Sequence, residues 1–296
     1  MKEFAGKTAV ITGAASGIGR ALADRFVAAR MNVVLADIEE EALGKAVAEL
    51  EARQARVIGV VSNTMRKDSI DELARQAIDT FGNVHIVCNN AGVANAASAG
   101  KSVWELPDAD WQWVMGVNFW GVLYGLQAFI PHMLEHGEEC HIVNTASLAG
   151  VLPGGGPYGV SKHGVLSLTE GLQTDLQARE ANINASVLCP GFVDTQIFDA
   201  ERNRPGELQL DDAESNDEAQ AMMATMAKTM LAAGKAPAEI ADIVFDAISE
   251  NVFYILPHPA WDDTVRGRVE QILARGPQAT TDMAALLQRR EAGDQL

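Results

Sequence analysis

Short apolar runs rich in Val, Ile and Leu alternate with helix-period segments along most of this chain, and that alternation constrains the fold more than any other feature. The runs are "TAVIT" at Thr8 to Thr12, "NVVLA" at Asn32 to Ala36, "RVIGVV" at Arg56 to Val61, "VHIVCN" at Val84 to Asn89, "CHIVNT" at Cys140 to Thr145 and "INASVLC" at Ile183 to Cys189. Between them, segments such as "EEEALGKAVAELEAR" and "SIDELARQAIDTF" carry apolar residues at helical spacing. Parallel neighbours need long right-handed crossovers. Strand, helix, strand repetition therefore predicts an α/β fold, a doubly wound parallel sheet with helices on both faces.

Two regions leave this rhythm. "DAERNRPGELQLDDAESND" from Asp199 to Asp217 is polar and acidic, and "EAQAMMATMAKTMLAAG" after it turns helical. It reads as a flap inserted at about 196–235, between a strand ending near Cys189 and a helix beginning near Pro237, and a flap of this kind is expected to move. A short strand-like "VFYIL" closes the domain, taken as residues 1–260. Residues 261–296 form a C-terminal helical extension whose last piece is expected to fray.

Bulk properties exclude several function classes. A formal charge of -17 without clustered lysine or arginine disfavours nucleic acid and anionic membrane surfaces as partners. Cys88, Cys140 and Cys189 are too scattered for a disulfide framework, and no CxxC or His/Cys cluster predicts a metal site. The N-terminus enters a strand without an apolar leader, and no uninterrupted apolar run is expected to span a bilayer. A reduced, cytoplasmic setting fits these features.

"TGAASGIG" at Thr12 to Gly19 joins the first strand to the first helix. Unpaired first-turn N–H groups and the helix dipole favour an anion there, and glycines let a phosphate approach the backbone. The spacing of Gly13, Gly17 and Gly19 is not GxGxxG, and a tight corner alone would also use glycines. Asp37, at the end of the second strand, adds the second half of a dinucleotide site. Its carboxylate accepts from both ribose hydroxyls of an adenosine and repels a 2′-phosphate, which favours NAD over NADP. Arg20, one residue past the glycines, is expected to face outward.

In "YGVSK", Tyr158 and Lys162 stand four residues apart, so in a helix a phenol and an ammonium share one face. Spacing alone leaves this pair open between catalysis and chance.

Six pieces in order carry a resemblance: "TGAASGIG", "NNAG" at Asn89 to Gly92, Asn118 in "VMGVNFWGV", Ser147 in "NTASLAG", "YGVSK", and "PGFVDT" at Pro190 to Thr195. Across Lys7 to Leu256 the chain resembles a short-chain dehydrogenase/reductase. The resemblance implies a Rossmann-type fold and an NAD-dependent oxidoreductase interconverting a secondary alcohol and its ketone. It implies that Tyr158 is the general acid or base and that Lys162 lowers its pKa. Ser147 would hold the substrate oxygen, and Asn118 the water of a proton relay. Gly13, Ser16, Ile18 and Gly19 would lie around the pyrophosphate, Asp37 on the adenosine ribose, and Asn90, Ala91 and Gly92 beside the cofactor. Pro190, Gly191, Val193 and Thr195 would line the nicotinamide, whose ribose Lys162 would also contact. A homodimer or homotetramer, built through the long helices following Trp111 and Tyr158, is expected. No metal is required, since the hydride comes from the cofactor.

Two departures stand out. "VVSNTM" offers Asn63 where the family usually has an aspartate accepting from the adenine amino group, and the loop "LAGVLPGGGP" is about two residues short. A short wall leaves room above the nicotinamide or closes only on substrate. The substrate walls are expected from Val93 to Ala99, this loop, Phe192 and the flap, where Met222, Met223, Met226 and Met230 recur. A methionine stripe also reads as ordinary packing or a subunit contact, whereas walls with few charges predict a bulky hydrophobic alcohol or ketone, aromatic, alicyclic or terpenoid. Trp104, Trp111, Trp113 and Trp120 read as core or interface packing, and His132, His136 and His163 as solvated or capping side chains. Alternatives are an NADP-dependent ketoreductase of the same fold, a non-catalytic NAD(H)-binding redox sensor, and an enzyme dehydrating or epimerising a nucleotide-linked sugar. An intact Asn-Ser-Tyr-Lys set argues against the sensor; chain length and the GIG turn argue against the sugar enzyme.

Overall fold

The computed structural model describes residues 1–94, 101–210, 225 and 229–278. Seven strands, β1 (Thr8–Thr12), β2 (Asn32–Asp37), β3 (Val57–Val61), β4 (Ile86–Asn89), β5 (Cys140–Thr145), β6 (Ile183–Leu188) and β7 (Tyr254–Ile255), form one sheet in the order β3-β2-β1-β4-β5-β6-β7. Every pair is parallel. The helices are α1 (Gly17–Ala28), α2 (Glu40–Glu51), α3 (Lys67–Phe81), α4 (Asp108–Met115), α5 (Gly121–His136), α6 (Gly156–Ala178), α7 (Pro237–Glu250) and α8 (Asp262–Leu273).

Period-2 alternation divides the strands between two cores. Ala9, Ile11, Val33 and Leu35 point into the layer with Leu22, Phe26 and Val244. Val10, Val34 and Ala36 point the other way, toward Leu73, Phe129 and Met133. Both faces are thus sealed by helices, as a doubly wound sheet demands. Strand order reverses between β1 and β4, so the crevice for a ligand opens at the carboxyl ends of those strands.

Some expectations shift. "VFYIL" contracts to a two-residue edge strand, because only Val187 and Leu188 of β6 offer it pairing partners. The helical run Asp108–His136 is, among the described residues, long and apolar enough by length and composition to cross a bilayer, although Asn118, Gln127 and His132 interrupt it. Half of its apolar window is buried inside the protein, as befits a core helix. Five residues of that run, Gly116–Trp120, form a π-helical turn, in which the Gly121 N–H reaches back to the Gly116 carbonyl. The early part of the flap coils as 3-10 turns at Ile197–Asn203 and Gly206–Leu208. Met222, Met223 and Met226, residues 95–99 of the expected substrate wall, and the tail 279–296 lie outside the described residues.

Candidate active site

The turn after β1 fits a phosphate because its backbone leaves no room for side chains. Gly13 has φ +66°, and a Cβ on it would stand 2.9 Å from the Ala91 Cα. On Gly19 a Cβ would meet the Gly13 carbonyl oxygen at 2.0 Å. Ser16 occupies the N-cap of α1 without a side-chain capping bond. Across the turn, Asp37 accepts from Ala15 N–H at 2.9 Å through Oδ2 and from Glu39 N–H at 3.1 Å through Oδ1. Burial pushes its carboxyl above the usual range, against the pull of these N–H groups. Arg20 is committed elsewhere, to Asp24 at 3.1 Å and Glu49 at 2.7 Å, so it leans across to α2 rather than pointing freely outward.

Asn90 ties the turn to β4: its Nδ2 donates to the Thr12 carbonyl at 3.0 Å, and its N–H to Thr12 Oγ1 at 3.0 Å. Asn63 Oδ1 already accepts from Met65 N–H at 3.0 Å, leaving one lone pair for an adenine amino group.

At the other end of the crevice, α6 carries Tyr158 and Lys162 one turn apart. Lys162 is 2% exposed, donates to the Thr145 carbonyl at 2.9 Å, and has its Nζ 5.6 Å from the Tyr158 ring centroid. Ser147 follows β5 and caps the short turn Leu148–Gly150, its Oγ accepting from Ala149 N–H at 3.1 Å. Asn118 is wholly buried, and its amide is bonded locally. Oδ1 accepts from Val93 N–H at 2.8 Å, while Nδ2 donates to the Val93 carbonyl at 3.0 Å and to Ser161 Oγ at 3.1 Å. Both N–H donors of Nδ2 are thus taken while Oδ1 keeps one lone pair, and the π turn around Asn118 is where helical carbonyls also lose their usual partners, so a relay water has the side-chain oxygen and the backbone to use.

The electrostatics differ from the sequence expectation. Burial pushes the Tyr158 hydroxyl up, while Ser147 pulls it down. Burial also pushes Lys162 down to about 8. Enclosure thus opposes the lowering of Tyr158 expected from Lys162: a neutral phenol is favoured.

One cavity of about 610 Å³ joins both ends. Gly13, Ser16, Ile18, Asp37, Asn63, Asn90, Ala91, Gly92, Ser147, Tyr158, Lys162, Pro190, Gly191, Val193 and Thr195 all line it, whereas Gly19 and Asn118 stand behind the lining. Its far wall is apolar: Val93, Trp113, Leu148, Leu152, Phe192 and Trp261. Trp113 is fully buried, whereas Trp104 is 82% exposed.

Several contributors were missed in the sequence. His258 Nδ1 accepts from Gly191 N–H at 3.0 Å and its Nε2 donates to the Phe192 carbonyl at 3.0 Å, stapling the segment after β6. Trp261 packs with Leu148 and Leu152, and Arg268 of α8 donates to the Val151 carbonyl at 2.5 Å, so the extension braces the short loop. Arg204 is completely enclosed. It donates to Asp110 at 2.5 Å, to Glu201 at 2.7 Å and to the Leu208 carbonyl at 3.0 Å, over the Trp113 ring at 4.4 Å. These partners lie far apart in sequence, with no spacing to announce them. His132, His136 and His163 accept or share backbone bonds, as the capping reading held.

Known proteins point the same way. The family profile described as short chain dehydrogenase matches residues 7–206. A CLA biosynthesis dehydrogenase/reductase of Lactiplantibacillus plantarum is 35% identical over 279 residues, covering 93% of this chain and 96% of its own. A 1-deoxy-11-beta-hydroxypentalenate dehydrogenase of Streptomyces exfoliatus is 41% identical over 193 residues, 64% of this chain and 69% of its own. A crystal structure of a short chain dehydrogenase/reductase from Burkholderia phymatum in complex with NAD superposes with a TM-score of 0.90 at 43% identity, covering 95% and 99% of the two chains.

Proposed function

The chain belongs to the short-chain dehydrogenase/reductase family and is an oxidoreductase of CH–OH groups, and from that premise we propose that it uses NAD to interconvert a bulky hydrophobic secondary alcohol and its ketone. The observation that carries the reading is a single cavity bounded by Asp37 and the glycine turn at one end and by Ser147, Tyr158 and Lys162 at the other. Asp37 and the glycines fit an adenosine ribose and a pyrophosphate, and the Burkholderia phymatum relative binds NAD. When bound, the nicotinamide supplies or takes up the hydride.

The chain's own groups handle the oxygen and its proton. Ser147 Oγ holds the substrate oxygen beside the Tyr158 hydroxyl. In reduction Tyr158 gives its proton to that oxygen, a role suited to a phenol kept neutral by burial. In oxidation the phenolate must take the proton back, so the oxidative rate rises with pH. Lys162, anchored on the Thr145 carbonyl, holds a positive charge within reach of the phenolate.

An apolar far wall supports a hydrophobic substrate, as does a relative named for a hydroxypentalenate. Exposed Trp120 and Val160, at the start of α5 and on α6, support assembly into a homodimer or homotetramer through those helices. Replacing Tyr158 with Phe tests the mechanism. Turnover of a panel of secondary alcohols with NAD should vanish while NADH still binds, measured by fluorescence. A Tyr158→Phe protein that still turns over would refute the assignment.

A further inference from the structure

The adenosine end of the cavity is bridged by residues outside the recognised motifs. Glu39, two positions past Asp37, accepts from Arg202 Nη2 at 2.5 Å and from Asn203 Nδ2 at 2.7 Å, both on the flap. Contacts 163 and 164 residues apart in sequence thus join the two rims of one groove. All three residues line the cavity, with the glycine turn and Asp37 on its floor. The roof continues toward the nicotinamide end: Thr195 Cγ2 would lie 3.1 Å from a Cβ on Gly17. Both side chains of the Glu39–Arg202 pair keep some exposure, 29% and 38%, so the bridge can open without dismantling the core. Burial pushes the Glu39 carboxyl up, but the bonds from Arg202 and Asn203 outweigh it and hold the group below the usual range.

We propose that Glu39, Arg202 and Asn203 form a clasp that closes over the adenosine half of a bound dinucleotide, making them positioning residues that slow its release. The clasp rests on the reading of this cavity as a dinucleotide site. Because Arg202 and Glu39 cancel each other's charge while joined, the clasp adds no net attraction for a 2′-phosphate and leaves selection to Asp37. A dinucleotide laid from Asp37 to Lys162 passes beneath the bridge, and leaving upward requires Arg202 and Asn203 to let go of Glu39.

The test is NADH dissociation from the full-length protein, followed by stopped-flow fluorescence in the parent, Glu39→Gln, Arg202→Gln and the double variant. An exposed pair of this kind is expected to change release by up to about fivefold. Each single variant should release NADH about that much faster, and the double variant no faster than either, because one contact is lost only once. Unchanged release in all variants, or effects that multiply to about 25-fold in the double variant, would overturn the clasp while leaving the dinucleotide site intact. Failure of the parent to bind NADH at all would overturn both.

Discussion

Arg204 is the residue whose removal should tell most about how the substrate wall is held. Its guanidinium and the Asp110 carboxylate are both completely buried, 2.5 Å apart, between the flap and α4. Removing one partner of such a pair typically costs about 3–5 kcal/mol, because the remaining charge stays enclosed. Asp110→Ala leaves Arg204 with Glu201, which is 38% exposed and gives partial compensation, so the lower figure of about 3 kcal/mol applies. For a chain of 296 residues that corresponds to a drop in Tm on the order of 5 °C. Arg204→Met should cost at least as much, since it also strips the contact over the Trp113 ring. Trp113 and Ala200 line the cavity on this side, so KM for a hydrophobic alcohol should rise while NADH affinity holds. Urea unfolding and steady-state kinetics read both effects. A joint Asp110→Leu and Arg204→Met replacement should recover most of the lost stability, as apolar replacements of buried ion pairs often do. Single variants that lose less than about 1 kcal/mol, or a double variant worse than the sum of the two, would refute the reasoning.

Two further outcomes follow from buried titrating groups. Lys162 is pushed down to about 8 from an ordinary value near 10.5, so below pH 8 the fold bears the full penalty of an enclosed ammonium, which is relieved as pH rises from 8 to 10.5. Lys162→Met should lose activity yet gain up to about 3 kcal/mol at pH 7, an advantage that fades by pH 10.5; thermal melts across pH check it, and destabilisation at pH 7 would contradict it. His141 is pushed down to about 3 by burial, so the unfolded chain takes up its proton first as pH falls below 6.5, and stability drops by about 1.4 kcal/mol per pH unit toward 3. Asp37, raised by burial, works in the opposite direction. Equal stability at pH 7 and 5 in urea titrations would count against this assignment.

The sheet was legible in the sequence because burial on both faces writes itself into consecutive apolar residues, and "CHIVNT" maps onto β5 residue for residue. Tyr158 and Lys162 were legible because helical spacing turns an interval of four into a shared face. Lys162 also shows the limit of that reading: the interval predicts proximity, but the sign of the pKa effect depends on enclosure, which only the packed sheet supplies. The clasps were invisible for a different reason. Glu39 with Arg202, and Asp110 with Arg204, are single charges in polar stretches, and no periodicity links positions 163 or 94 residues apart. A period encodes which way a side chain faces within one element, whereas a clasp depends on where two elements meet after the sheet has been wound. Residues that bear on chemistry at the strand ends therefore fall into two classes here: those fixed by a strand or helix, which sequence reveals, and those recruited from the flap and the C-terminal extension, which only the assembled cavity brings together.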